Sequence, residues 1–202
     1  LTTIIKEKTL NDIDLKDTFT TEELEDFLGY YKINGTKGLK LRSYQAVALN
    51  NIDKTFEDKQ FTTAVLPTGA GKSFVALAEM LEHSDEDILY LAPNDEILNQ
   101  IEKYILEIIC DESLQKNDKE KIEEKFKHLK LCTYQSLLSD KRNEILNGLE
   151  QKTVHHKYGL IVFDELHRSG ASEWKKSVIE LLEHQDEKTK VLGITATPIR
   201  DM

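Results

Sequence analysis

Short runs of consecutive apolar residues punctuate the chain at 63–67 (TAVLP), 88–93 (ILYLAP), 129–134 (LKLCTY), 160–164 (LIVFD) and 191–197 (VLGITAT). They are rich in Val, Ile and Leu and show no polar alternation, the pattern of strands buried on both faces. Between them the apolar spacing becomes helical. Ile97, Leu98, Ile101, Ile105 and Ile108 share one face. Trp174, Val178, Leu181 and Leu182 repeat that spacing, as do Ile122, Phe126 and Leu129 in EKIEEKFKHL. The charged positions between them read as solvated faces. Alternating strands and helices predict an α/β fold, a mostly parallel sheet with helices on both faces.

The stretch before residue 60 has a different texture. TTEELEDFLGYY (20–31) predicts a helix, with Thr20 as cap, Glu23 closing a capping box, and Leu24, Phe27, Leu28 and Tyr31 as its stripe. NGTKG (34–38) reads as a turn or linker. LRSYQAVALNNIDKTF (41–56) reads as a second helix. The expected division is a short helical N-terminal extension and linker over 1–40, then one domain over 41–202.

Composition narrows the class. A chain of 202 residues with 32% charged and 39% hydrophobic positions suits a soluble globular protein with a sizeable core. A net charge of −10 argues against a generic nucleic-acid coat, though not against a local cationic track. Cys110 and Cys132 lack CxxC spacing and read as reduced, buried thiols, so a cytoplasmic location is expected. No apolar run reaches membrane length. His155 and His156 have no matching Cys or His partners for zinc. The chain begins at Leu1 rather than Met and reads as a piece of something longer.

The chemistry begins where the first strand runs into LPTGAGKS (66–73) and then into FVALAEMLEH, a good helix. That context suits a phosphate-binding loop. Gly69 and Gly71 allow backbone angles that turn successive N–H groups toward phosphate oxygens, and the helix start adds its positive dipole end. Pro67, Thr68 and Ala70 complete the loop; Lys72 would reach the β- and γ-phosphates of ATP, and Ser73 would hold Mg²⁺. Leu66 stands where the general pattern has Gly. Asp164 ends a buried strand and could reach the same Mg²⁺, while Glu165 could orient and deprotonate an attacking water.

DELH (164–167) resembles the D-E-x-H box of superfamily 2 helicases and translocases. Five further stretches match that family in order: LRSYQ the adenine-recognition motif, LPTGAGKS motif I, APNDEILNQ (92–100) motif Ia, TYQSL (133–137) motif Ib and ITATP (194–198) motif III. The likeness is greatest to the branch containing restriction-enzyme motor subunits and related bacterial DNA helicases. It implies a RecA-like phosphate-loop NTPase domain that takes ATP and Mg²⁺ and couples hydrolysis to movement on nucleic acid.

The resemblance also implies roles for particular residues. Gln45 would read the adenine edge and Arg42 would pack on or bond the base. His167, Thr195 and Thr197 would couple the phosphate site to the nucleic-acid site. Asn94 could cap the helix after Pro93 and leave N–H groups for a backbone phosphate; Gln100, Thr133 and Gln135 would add neutral contacts. The family's common Thr-Arg after that proline is Asn94-Asp95 here, and Asp95 would repel a phosphate. Trp174 reads as a core anchor. DNA is favoured over RNA by the branch likeness alone. Expected partners are a second RecA-like domain, which the family uses to close the nucleotide cleft, and restriction or repair subunits; no membrane is expected. The piece by itself is expected to bind Mg-ATP weakly and to turn it over very slowly.

Competing classes differ in what they require. A GTPase would carry Asn-Lys-x-Asp and a nucleotide kinase an Arg-rich lid, and neither stretch is present in the sequence. A nucleotide-binding or docking module without turnover is the other alternative; Lys72, Ser73, Asp164 and Glu165 argue against it.

Overall fold

The computed structural model describes residues 30–31, 39–83, 86–109, 126–139, 142–147, 156–165 and 172–196. The first elements are two short antiparallel strands, β1 (Tyr30–Tyr31) and β2 (Leu39–Lys40). Tyr31 was expected on a helical stripe and is extended instead, opposite Leu39; the rest of that predicted helix lies outside the described residues. Leu39 and Leu41 are buried in the main core. The two-strand ladder thus ends against the domain rather than beside it.

Helix α1 (Ser43–Asp58) follows and buries Gln45, Leu49, Ile52 and Phe56. Then come β3 (Phe61–Val65), α2 (Lys72–Glu82), β4 (Ile88–Ala92), α3 (Asp95–Ile109) and β5 (Leu129–Thr133). A 3₁₀ turn (Tyr134–Leu138) leads to α4 (Arg142–Asn147), and β6 (Leu160–Asp164), α5 (Ser172–Glu183) and β7 (Lys190–Thr195) complete the set. Of the predicted helix over EKIEEKFKHL, Phe126 is buried in a bend and Leu129 is in β5; residues 120–125 lie outside the described residues.

β3 to β7 form one all-parallel sheet in the order β3-β7-β6-β4-β5. Consecutive apolar residues are needed because each face meets helices. Ile88, Tyr90 and Ala92 of β4 and Leu160 and Val162 of β6 pack under α1, α2 and α3. Leu89, Leu91, Ile161 and Phe163 pack on the opposite side with α5, α4 and the 3₁₀ turn. β3 is an edge strand, so Phe61 and Val65 remain about half exposed and the strand begins two residues ahead of its apolar run. Cys132 is a buried thiol outside any disulfide, and Cys110 lies outside the described residues. No helix among the described residues is long and apolar enough to cross a membrane.

Parallel strands place all their carboxyl ends along one edge. Val65 pairs with Thr195, Asp164 with Ile194, and Ala92 with Thr133. The phosphate-type loop, the acid pair and the strand ends expected to meet nucleic acid therefore share one edge, where ligands bind in open α/β sheets.

Candidate active site

The loop grows out of β3 with its root fastened to β7. The Leu66 N–H donates to the Thr195 carbonyl at 3.0 Å, and Ala70 N–H turns back to the Pro67 carbonyl at 3.0 Å. Gly69 and Gly71 carry the reversal at φ +80° and +72°, left-handed backbone that side chains resist. Lys72 and Ser73 then open α2, whose first N–H groups have no intrahelical acceptors. Pro67, Thr68 and Gly69 are exposed, whereas Ala70, Gly71, Lys72 and Ser73 are half-buried. The cradle is open on one side and backed on the other.

The backing comes from the start of α1. Gln45 is buried, and its Nε2 donates to the Ala70 and Gly71 carbonyls at 2.9 and 3.3 Å. Its Oε1 accepts the Arg42 N–H at 2.8 Å, one half of a capping box. A Cβ on Gly71 would stand 2.5 Å from Gln45 Nε2. Tyr44 donates to the same Ala70 carbonyl at 3.1 Å, and Arg42 Nη1 donates to the Tyr44 oxygen at 3.3 Å. The stretch expected to face the base thus holds the loop from behind. Gln45 can read a base edge only by releasing its bonds to the loop.

β6 lies between β7 and β4 and delivers Asp164 to the sheet edge, where it is 6% exposed. Its Oδ2 accepts from the Tyr90 hydroxyl at 2.6 Å and its Oδ1 from the Glu165 N–H at 2.8 Å. Its main-chain carbonyl accepts from the Tyr134 hydroxyl at 2.9 Å. Burial holds the Asp164 carboxyl above its ordinary range; the Tyr90 hydrogen bond opposes this, the Glu165 charge adds to it, and the Glu165 N–H and Lys72 pull it back. Burial and the Asp164 charge push the Tyr90 and Tyr134 phenols up, so both stay protonated donors. Glu165 leaves the strand at φ +53°, a left-handed turn costing a non-glycine residue about 1–2 kcal/mol. That turn sets its Oε1 3.4 Å from Lys72 Nζ, with both side chains largely buried. Loop and acid pair therefore face each other across one ion pair.

Further along the edge, Asn94 Oδ1 accepts the Ile97 N–H at 3.1 Å and caps α3 as the sequence led us to expect. Asn94, Asp95, Gln100 and Gln135 are exposed, and the half-buried Thr133 hydroxyl lies 3.1 Å from that of Ser136. Thr195 is buried at the end of β7. His167 and Thr197 lie outside the described residues. Trp174 packs against the second core cluster and stacks on Tyr134 with ring centroids 5.2 Å apart, an anchor rather than a base platform.

Tyr90, Tyr134 and Tyr44 touch the site without having been expected there. The available signal was chemical: a phenol inside an aliphatic strand such as ILYLA needs a buried acceptor.

Comparison with known proteins places the chain in a family. Residues 38–200 match the family model described as type III restriction enzyme, res subunit. An ATP-dependent DNA helicase, mph1 of Sclerotinia sclerotiorum, is 30% identical over 148 residues, 66% of this chain and 11% of the relative. A putative DNA 3′-5′ helicase, Rad25 of Haloarcula marismortui, is 26% identical over 166 residues, 81% of this chain and 23% of the relative. The chain thus spans less than a quarter of either. Among solved structures, the Sulfolobus solfataricus SWI2/SNF2 ATPase core in complex with dsDNA superposes with a TM-score of 0.55 at 18% identity, covering 82% of this chain and 33% of that one, which supports the fold. The match runs from just before β2 to beyond β7 and takes in both the loop and the acid pair, and the chain belongs to the type III restriction enzyme res subunit family.

Proposed function

We propose that this domain is the ATP-binding half of a DNA helicase or translocase, hydrolysing ATP between the 66–73 loop and the Asp164–Glu165 pair. The observation that carries the proposal is the 3.4 Å approach of Lys72 Nζ to Glu165 Oε1, which brings the loop lysine and a strand-end acid to one point. Loop N–H groups and Lys72 bind the phosphates. Glu165 orients the attacking water and takes its proton.

The donor set fits Mg²⁺. The Ser73 hydroxyl and Asp164 carboxylate are hard oxygen ligands, and a carboxyl held above its ordinary range by burial is a place where a cation offsets a poorly solvated charge. Bound there, Mg²⁺ would neutralise charge building on the phosphates.

Arg42 and Gln45 meet the adenine, Gln45 exchanging its loop bonds for the base edge. Thr195, with His167 and Thr197, relays the phosphate state toward the track. Asn94, Gln100, Thr133 and Gln135 contact the nucleic-acid backbone. Support for DNA comes from the relatives mph1, an ATP-dependent DNA helicase, and Rad25, a putative DNA 3′-5′ helicase. A second RecA-like domain of the full-length protein closes the cleft, and restriction or repair subunits are its expected partners.

The test is ATPase activity of the full-length protein with single-stranded DNA, duplex DNA and RNA as stimulators. DNA is expected to stimulate more than RNA; the reverse would move the substrate assignment to RNA. Lys72→Ala should abolish turnover, and Glu165→Gln should bind ATP but stall hydrolysis. Normal hydrolysis by Glu165→Gln would remove Glu165 as the base.

A further inference from the structure

Two buried phenols converge on one aspartate from separate parts of the chain. Tyr90 sits in the middle of β4 and Tyr134 opens the 3₁₀ turn after β5; both are fully buried. A buried phenol needs an acceptor. Tyr90 uses the Asp164 carboxylate at 2.6 Å, and Tyr134 uses the Asp164 carbonyl at 2.9 Å.

The Tyr90 bond limits rotation of a carboxylate. With Oδ2 held by Tyr90 and Oδ1 by the Glu165 N–H, the carboxylate plane is fixed, and each oxygen keeps a further lone pair for a ligand. The Tyr134 bond acts on the backbone. Its acceptor belongs to the peptide joining Asp164 to Glu165, and Glu165 stands at φ +53°. Such backbone persists only where its surroundings hold it. The Tyr134 ring is stacked on Trp174 at 5.2 Å and on Phe163 at 6.3 Å, so its hydroxyl cannot swing independently of the turn. Thr133 and Gln135, the proposed nucleic-acid contacts, are its immediate chain neighbours.

We infer that both tyrosines are positioning residues: Tyr90 aims the Asp164 carboxylate at the cation, and Tyr134 ties the nucleic-acid turn to the peptide that sets Glu165. The inference rests on the functional reading above. It predicts a division of labour between the two hydroxyls. Removing the Tyr90 hydroxyl weakens use of Mg²⁺, because outer partners of metal ligands typically contribute 10–100-fold to metal affinity. Removing the Tyr134 hydroxyl weakens the link between DNA and hydrolysis.

The experiment uses the full-length protein with Tyr90→Phe and Tyr134→Phe, which keep both rings and their packing. Binding of a fluorescent ATP analogue is measured against Mg²⁺ and again in EDTA. ATPase is measured with and without single-stranded DNA, and DNA affinity separately. Tyr90→Phe should raise the half-saturating Mg²⁺ concentration about tenfold, with analogue binding in EDTA and the DNA stimulation ratio unchanged. Tyr134→Phe should leave the Mg²⁺ requirement unchanged and lower the stimulation ratio about three- to tenfold at parental DNA affinity. An unchanged Mg²⁺ requirement in Tyr90→Phe, or full stimulation in Tyr134→Phe, overturns the corresponding role. Loss of analogue binding in EDTA by Tyr90→Phe would show a packing role alone and also overturns it. Lys72→Ala in the same binding assay separates the two levels. Parental binding by Lys72→Ala would bring down the site reading itself. Its loss of binding beside parental behaviour of both Phe variants would bring down the positioning roles alone.

Discussion

The Asp87 group ahead of the strands and the Asp164–Glu165 pair at their carboxyl ends handle charge in opposite ways. At the amino end, Asp87 precedes β4 and reaches His128 Nδ1 at 2.8 Å, ahead of β5, and His156 Nε2 at 3.1 Å, ahead of β6. All three are substantially exposed. At the carboxyl end Asp164 is buried, Glu165 is in a left-handed turn, and two glycines hold positive φ. The Asp87 group satisfies its charges where they cost little. The carboxyl end keeps a buried acid and strained backbone, the arrangement expected where residues are placed for a ligand rather than for stability.

Substitutions at each end should therefore separate stability from nucleotide handling. The largest effect is expected from Gly71→Ala. The left-handed backbone alone costs about 1–3 kcal/mol, and the new Cβ must displace the buried Gln45 amide. Thermal melting should fall and nucleotide affinity should be lost; parental affinity would show that the loop is not the phosphate site.

Asp164→Asn should act in two directions. The native Asp164 carboxyl is raised above its ordinary 3.8, so the fold favours its protonated form. As pH rises from 3.8 through the raised value, the native state must carry a buried charge and stability falls. An amide can accept the Glu165 N–H and donate to the Tyr90 oxygen, but the buried Tyr90 O–H then loses its acceptor, a cost that does not change with pH. Without ligand, the melting temperature of the variant relative to the parent should rise as pH goes from 4 to neutral. Mg²⁺-dependent nucleotide binding should be lost. A melting difference that stays constant between pH 4 and neutral would show the charge to be well accommodated.

Asp87→Asn should have the smallest effect. Exposed pairs contribute about 0–1 kcal/mol and are screened by salt, so melting should drop slightly and less at high salt. Nucleotide affinity should not change; a change there would contradict the division between the two ends.

Much of the fold was readable from pattern because burial on both faces leaves a strand no polar positions. β4 and β6 are entirely buried, and their boundaries match their apolar runs closely. The rule fails where burial is one-sided: β3 begins at Phe61, ahead of its apolar run, because an edge strand tolerates exposed side chains. Tyr31 was misplaced because its helical spacing is compatible with a strand of two residues, and only its pairing with Leu39 decides between them.

In the site, the loop was legible because its chemistry is local: two glycines, a lysine and a serine at a helix start need no distant partner. The Asn94 cap was legible for the same reason. Gln45 was not, since a polar residue in the first turn of a helix can face either way, and only the packing of α1 behind the loop turns it toward Ala70 and Gly71. Tyr90 lies 74 positions from Asp164 and Tyr134 lies 30. The sequence by itself determined that a glycine-lysine-serine loop and an acid pair stand at strand ends, because backbone freedom and side-chain charge are properties of the residue. The tertiary structure alone decided how those groups are held, because hydrogen bonds between strand neighbours depend on sheet order and register, which residue type does not encode.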